Sequence, residues 1–278
     1  MRGMRWTMVV ALLLLVAPLQ VWAQEEGGPG EVSAQAATPA PAAAPSAPTT
    51  FVGGTALLVE EGRWELGLFG PLRYGLIEKV ELATHPLWFF VAPNLQAKFN
   101  LGQRGRWHLA SKAQLTYPTP LLRLLSREGI GGILPSDRAV PHLVSLQAEL
   151  LATRAYGEHL LTYGLGVQVL PRVGASEMVS IDLPFVYPRT AAAFGWATGI
   201  AQVQAQGPIY KKLGYQADVR AFVYPGIEGA FAVEQGAGLR LTTSERFMAQ
   251  AGYRFSYAGY PFGTMTNIAP TVELAWGF

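Results

Sequence analysis

Apolar and polar residues alternate with a period of two through much of the chain. In residues 106–117, Trp107, Leu109, Ala113, Leu115 and Tyr117 share one face, and His108, Lys112, Gln114 and Thr116 share the other. The pattern recurs in 141–153, 159–170, 213–224, 231–242 and 246–257. Successive side chains of a strand point to opposite faces, so each segment is predicted to be a strand with one apolar and one polar face. The segments run about 10 to 13 residues, the length a tilted strand needs to cross a bilayer. Strands of soluble sandwiches average only about 5 to 6 residues. The apolar faces carry no charge, and the polar faces mix small Gly, Ser and Thr with single charges. These features predict an all-β fold: an antiparallel transmembrane up-and-down β-barrel with an apolar exterior and a polar interior.

Towards the N-terminus the pattern is less regular. Trp64, Leu66 and Leu68 ascend to a turn at Gly70-Pro71, 72–77 descends, Glu78-Lys79 turns into 80–90, and 94–101 descends again. The expected count is twelve strands, within a range of ten to fourteen, and the first hairpin is too short to span fully. Connections alternate in length. Short ones fall at 102–105, 156–159 and 243–245, and long ones at 118–140 and 171–188. Barrels of the outer membrane have short periplasmic turns and long external loops. Aromatics mark both strand ends. Trp88, Phe89, Tyr117, Tyr187, Tyr224 and Tyr257 are expected outside, and Trp107, Tyr156, Phe247, Trp276 and Phe278 on the periplasmic side, as two interfacial girdles.

The two ends of the chain point to the same compartment. Arg2 and Arg5 precede an apolar run from Trp6 to Ala17, and Val21-Trp22-Ala23 offers a cleavage site. This is the three-part pattern of a secretory signal, expected over 1–23. Residues 24–50 hold five prolines, eight alanines and no aromatic. Such a stretch buries too little apolar area to fold and is expected to be a disordered tether, with the barrel occupying 51–278. At the other end Val272, Leu274, Trp276 and Phe278 share one strand face. This terminus resembles the last strand of bacterial outer-membrane β-barrels. The resemblance implies that these four residues form the signal read by the barrel assembly machinery. A second, local resemblance lies in Tyr74-Gly75-Leu76-Ile77-Glu78-Lys79-Val80-Glu81-Leu82, which is similar to the strand–turn–strand signature of barrels of the phenol-degradation meta-pathway family. It departs from that signature where Thr-Asp is usual, and it implies a barrel without implying a substrate.

Composition narrows the function. Charged residues make up only 14% of the chain, and Lys+Arg 21 against Asp+Glu 19 leaves a formal net charge of +2. Without the two arginines of the signal the balance is 19 to 19. A basic nucleic-acid binder is therefore not expected. The absence of cysteine excludes disulfides, thiolate metal sites and cysteine nucleophiles. His85, His108, His142 and His159 lie in different segments without metal-ligand spacing, so neither metal nor cofactor is expected. His108 and Ser111, and likewise His142 and Ser145, are three apart and fall on opposite strand faces, so neither forms a local dyad. Asp137 and Asp182 are read as isolated loop aspartates. An enzyme is not expected.

The residues with the best claim to function are the inward charges Lys112, Glu149, Asp218, Arg220, Glu234, Arg240, Arg254 and Glu273. They serve either to select solutes in a polar lumen or as ion pairs that fill a narrow barrel. In the loop 118–140, residues 119–127 can form about two helical turns with Leu121, Leu122 and Leu125 on one side and Arg123 and Arg127 on another. That segment is expected to dock in the barrel mouth as a constriction. The leading expectation is a porin-like channel for passive passage of small solutes across the outer membrane of a Gram-negative cell, in contact with lipid and lipopolysaccharide. The alternative is a non-conducting structural or surface-adhesive barrel, and the third reading is a barrel hydrolase. Sequence leaves the oligomeric state open.

Overall fold

The computed structural model describes residues 50–278, apart from 128–135, 138, 175–181, 184, 186–188, 194 and 262. The wall comprises β1 (Trp64–Gly67), β2 (Leu72–Ile77), β3 (Val80–Thr84), β4 (Asn94–Arg104), β5 (Trp107–Thr116), β7 (Ser145–Tyr156), β8 (His159–Val169), β10 (Thr198–Tyr210), β11 (Leu213–Val223), β12 (Phe231–Ser244), β13 (Phe247–Tyr260) and β14 (Gly263–Gly277). These twelve strands pair antiparallel with their neighbours and close into a barrel through β1 and β14. Two short strands, β6 (His142–Leu143) and β9 (Arg172–Val173), pair with each other outside the wall. Two short helices, α1 (Pro86–Phe89) and α2 (Thr119–Leu125), lie in connections at the end opposite the chain terminus Phe278. That end is the far end, and the end holding Trp64 and Phe278 is the near end. Among the described residues no helix is long and apolar enough to cross a membrane.

The alternation in the sequence maps onto the wall. On β8, Tyr163 and Leu165 are exposed while Leu160, Thr162, Gly164 and Gln168 are buried. On β12, Leu239 and Leu241 face out while Glu234 and Gly236 face in. The large exposed side chains are thus mostly apolar, and the buried ones are in good part polar, the reverse of a soluble core. The inner face stays small where large neighbours need room. A Cβ on Gly166 would lie 2.5 Å from Glu149 Cγ, and one on Gly164 would lie 2.5 Å from Gln202 Cγ.

Several boundaries depart from the sequence pattern. The expected strand over 80–90 stops at Thr84, because Pro86 has no N–H for a ladder and is suited to the first turn of a helix, here α1. The segment 141–153 divides: His142 and Leu143 leave the wall to pair with β9, and β7 runs from Ser145. The turn expected at 102–105 begins later. Gly102, at φ +96°, takes up a bulge beside Asn100, and β4 continues to Arg104. Tyr224, expected in the outer girdle, is instead buried with Phe222 and Tyr260 inside the far end. Tyr187 lies outside the described residues. The helix expected in 119–127 forms as α2, and its Leu121 and Leu122 are buried.

Candidate functional site

The barrel interior is occupied. Ahead of β1, residues 51–59 run inside the wall, with Phe51, Val52, Thr55, Ala56 and Val59 buried. Inward side chains hold seven backbone atoms of this segment. Phe51 N–H donates to Glu65 Oε1 at 2.8 Å, and Arg240 Nη1 donates to Phe51 O at 3.1 Å. Gln204 Nε2 donates to Gly53 O at 2.9 Å, and Ala56 N–H donates to Thr153 Oγ1 at 2.7 Å. Lys98 Nζ donates to Leu57 O at 2.7 Å and to Thr55 O at 3.4 Å, while Val59 N–H donates to Glu81 Oε2 at 2.9 Å. The partners come from β1, β3, β4, β7, β10 and β12, so the segment is gripped from around the wall. Val52 O closes a local turn by accepting from Thr55 N and Thr55 Oγ1, and Gly54 supplies the positive φ of +79° that this turn requires. Ala56 also packs on Ala110 and Leu151, and Phe51 on Met248 and Ala275.

A buried ion network forms the floor under this segment. Arg73 reaches Glu65 Oε2 at 2.8 Å and grips Glu81 with Nε at 3.0 Å and Nη2 at 2.8 Å. Lys98 Nζ lies 3.1 Å from Glu81. Arg63 Nε adds a third cation 3.6 Å from Glu65 Oε1, and Glu65, Glu81 and Lys98 also bond the backbone of 51–59. Burying these charges is costly unless each finds partners, and here the peptide backbone completes the set.

A second cluster lies further along the wall. Lys112 Nζ stands 2.7 Å from Glu149 Oε1, and Gln147 and Gln202 donate to the same carboxylate, the latter at 3.3 Å. Arg220 sits across from Gln202 on one side and Glu234 on the other. Arg254 reaches Asp218 at 3.2 and 3.3 Å, and Glu234 at 3.8 Å.

The third cluster closes the far end. Arg189, only 1% exposed, comes from the connection between β8 and β10 and reaches into the barrel. Its Nε donates to Asp182 Oδ2 at 2.8 Å, its Nη1 pairs with Glu234, and its guanidinium lies 5.2 Å from the Phe222 ring centroid. Tyr260 donates its hydroxyl to the same Asp182. Burial, the largest single influence, would lower the Arg189 pKa, but the charge and hydrogen bond of Asp182 together with Tyr224 and Tyr260 outweigh it and hold the pKa raised, so the guanidinium stays charged. Asp182 is thus not an isolated loop aspartate; it is buried as the partner of Arg189. Asp137 is exposed.

The inward charges expected from sequence are divided among these clusters. Lys112 and Glu149 pair together, Asp218, Glu234 and Arg254 share the far half, and Arg240 turns to Phe51 and Gln216. Glu273 stands apart at the β14–β1 seam, where its Oε1 accepts from Phe69 N–H at 3.3 Å. Of the loop residues, Leu122 packs with Leu143, Leu170, Leu183 and Ala193, with Leu125 beside it, in an apolar cluster at the far end. Leu121 is buried as well. Arg123 is exposed and points to His142 Nε2 at 3.2 Å; Arg127 is also exposed. At the near end Phe278 and Trp64 exchange both backbone hydrogen bonds, at 2.9 and 3.1 Å, and the Trp276 and Phe247 rings pack at a tilt with centroids 5.7 Å apart. Val272 is exposed and Leu274 partly so.

Sequence reasoning did not single out Glu65, Arg73, Glu81, Lys98 or Arg189, nor β10 with its inward Gln202, Gln204 and Gln206. A period-two count through Tyr74 and Leu82 places Arg73 and Glu81 inward and would have found that pair. Among the described residues, no group of three or more His, Asp or Glu is arranged to hold a metal. The sequence matches no protein-family model and no curated protein.

Proposed function

We propose that this chain is a β-barrel of the Gram-negative outer membrane that is closed at rest and acts as a non-conducting structural barrel. The membrane assignment is supported by the outward belt of exposed apolar residues, among them Leu165, Val203, Val219, Leu239, Ile268 and Val272. Short turns and Phe278 share the near end, which is the periplasmic one in such barrels. The observation that carries the closed state is the capture of seven backbone atoms of 51–59 by side chains from six strands. Arg189 occupies the other end.

One observation favours a second reading, a gated passage for small solutes. Residues 51–59 make no strand pairing with the wall among the described residues, so the segment can leave without breaking the barrel. Lipid at the outer wall and the assembly machinery at Trp276 and Phe278 are the partners this reading requires. The test is fractionation with the outer membrane followed by planar-bilayer recording of the purified barrel. Silence at ordinary voltages is the expected result. Steady ohmic conductance of the parent chain overturns the closed reading.

A further inference from the structure

One row of outward side chains at the near end carries positive charge. Trp107 on β5 lies opposite Arg104 of β4 on one side and Arg154 of β7 on the other. Directly opposite residues of antiparallel strands share a face, and Trp107 is on the face of the exposed Leu115, so both arginines face out beside it. Neighbouring strands lie about 4.8 Å apart, which puts the two arginine backbones about 10 Å apart across the tryptophan. The Arg154 guanidinium carbon lies 5.8 Å from the Trp107 ring centroid and 4.7 Å from that of Tyr156, and Tyr163 packs against Trp107 at 5.9 Å. Rings on two sides hold the guanidinium in place and turn water away from it. Among the described residues no carboxylate pairs with Arg104 or Arg154, and Arg154 Nε is buried with no hydrogen-bond partner. Arg106, exposed in the turn between β4 and β5, adds a third positive charge.

The depth of this row says what meets it. Arg154 lies four residues from Leu150, which pairs with Leu165 near the middle of β7 and β8. That is about 13 Å along the strand, or about 10 Å along the membrane normal for a strand tilted by 35–45°. Half of an apolar belt about 25 Å tall is about 12 Å, so the guanidinium sits at the boundary between hydrocarbon and headgroups. A cation there is costly unless a counter-charge meets it. A lipid phosphodiester supplies one, and its oxygens accept from the planar fork of an arginine. The wall beyond is shaped for the rest of the lipid. Ala152, the next outward residue of β7 towards mid-belt, lies between Leu109 and Tyr163, so a small residue flanked by large ones leaves a shallow groove leading away from the guanidinium.

We propose that Arg104, Trp107 and Arg154 form a site for one anionic phospholipid of the periplasmic leaflet, its phosphodiester held by the two guanidinium groups and one acyl chain lying over Ala152. This rests on the membrane reading above.

The test is native mass spectrometry of the full barrel released from vesicles of equal parts phosphatidylcholine and phosphatidylglycerol. The expected result is retention of one phosphatidylglycerol in preference to phosphatidylcholine. Arg104→Gln with Arg154→Gln should lower that retention about tenfold or more, through the loss of charge-assisted hydrogen bonds. Lys211→Gln with Lys212→Gln removes the same charge from another near-end turn, where Lys211 lies 5.0 Å from the Tyr210 ring centroid, and should leave retention unchanged. Arg154→Lys keeps the charge without the planar fork and should fall between. Flotation of each variant with the vesicles shows that the barrel is inserted, and a parent that does not float overturns the membrane reading itself. In a floating barrel, equal retention of the two lipids, or an equal loss in the two double variants, overturns the site. Displacement of the lipid by millimolar sodium phosphate at constant ionic strength also overturns it, because it assigns the arginines to free phosphate.

Discussion

Replacing Lys98 by Met should loosen the internal segment without opening the wall. Methionine keeps the stem's bulk but removes the ammonium group that donates to Leu57 O at 2.7 Å and Thr55 O at 3.4 Å. Glu81 keeps its two bonds from Arg73, so the network is not stripped of its cation. A hydrogen bond to a charged group contributes about 1.5–3 kcal/mol. If only the shorter bond counts in full, release of 51–59 becomes easier by roughly 10- to 150-fold, taking 1.4 kcal/mol per factor of ten. The assay uses Ala56→Cys, buried against Ala110 and Leu151, as the sole thiol. Its alkylation rate in the folded barrel measures the open population. Lys98→Met should raise that rate by the stated factor, whereas Gln114→Met, an inward change remote from the segment's contacts, should not. An unchanged rate with Lys98→Met, or an equal rise with Gln114→Met, refutes the idea that Lys98 retains the segment.

Arg189→Met should cost about 3–5 kcal/mol, since it leaves the buried carboxylate of Asp182 without its cation and Glu234 with the more distant Arg254 at 3.8 Å. The shift in urea midpoint in detergent or vesicles measures this, and adding Asp182→Asn with Glu234→Gln should recover part of the loss. Leu165→Arg should cost about 2–4 kcal/mol if that position lies at mid-bilayer, whereas Leu165→Met should be close to neutral, measured by folding into vesicles.

The wall was legible because period-two alternation with one uncharged face has few solutions. Segment 246–257 shows it with an unbroken apolar outer face, and 231–242 shows it with Gln235 as the one polar residue on that face up to Leu241; they sit in β12 and β13 with the expected residues inward. Where the alternation is weak, the pattern says less. The outward face of β10 is built of Gly199, Ala201, Val203, Ala205 and Gly207, too small to stand out against its inward glutamines. The short strands β1 to β3 offer only two or three residues per face. The occupied interior was the least legible part. Residues 51–59 bind through backbone atoms, which carry no signature in side-chain pattern, and their partners are scattered from Glu65 to Arg240. Nothing in the sequence around Arg189 marks it until the fold brings Asp182, Glu234 and Tyr260 around it.

The claim that the barrel is closed by its own chain meets its most direct test in single-channel recording of the parent and of a variant lacking residues 51–59, with Lys98→Met alongside in case the deletion fails to fold. The account predicts a silent parent and discrete openings in the deletion or, less often, in Lys98→Met. A parent that conducts as freely as either variant would contradict it.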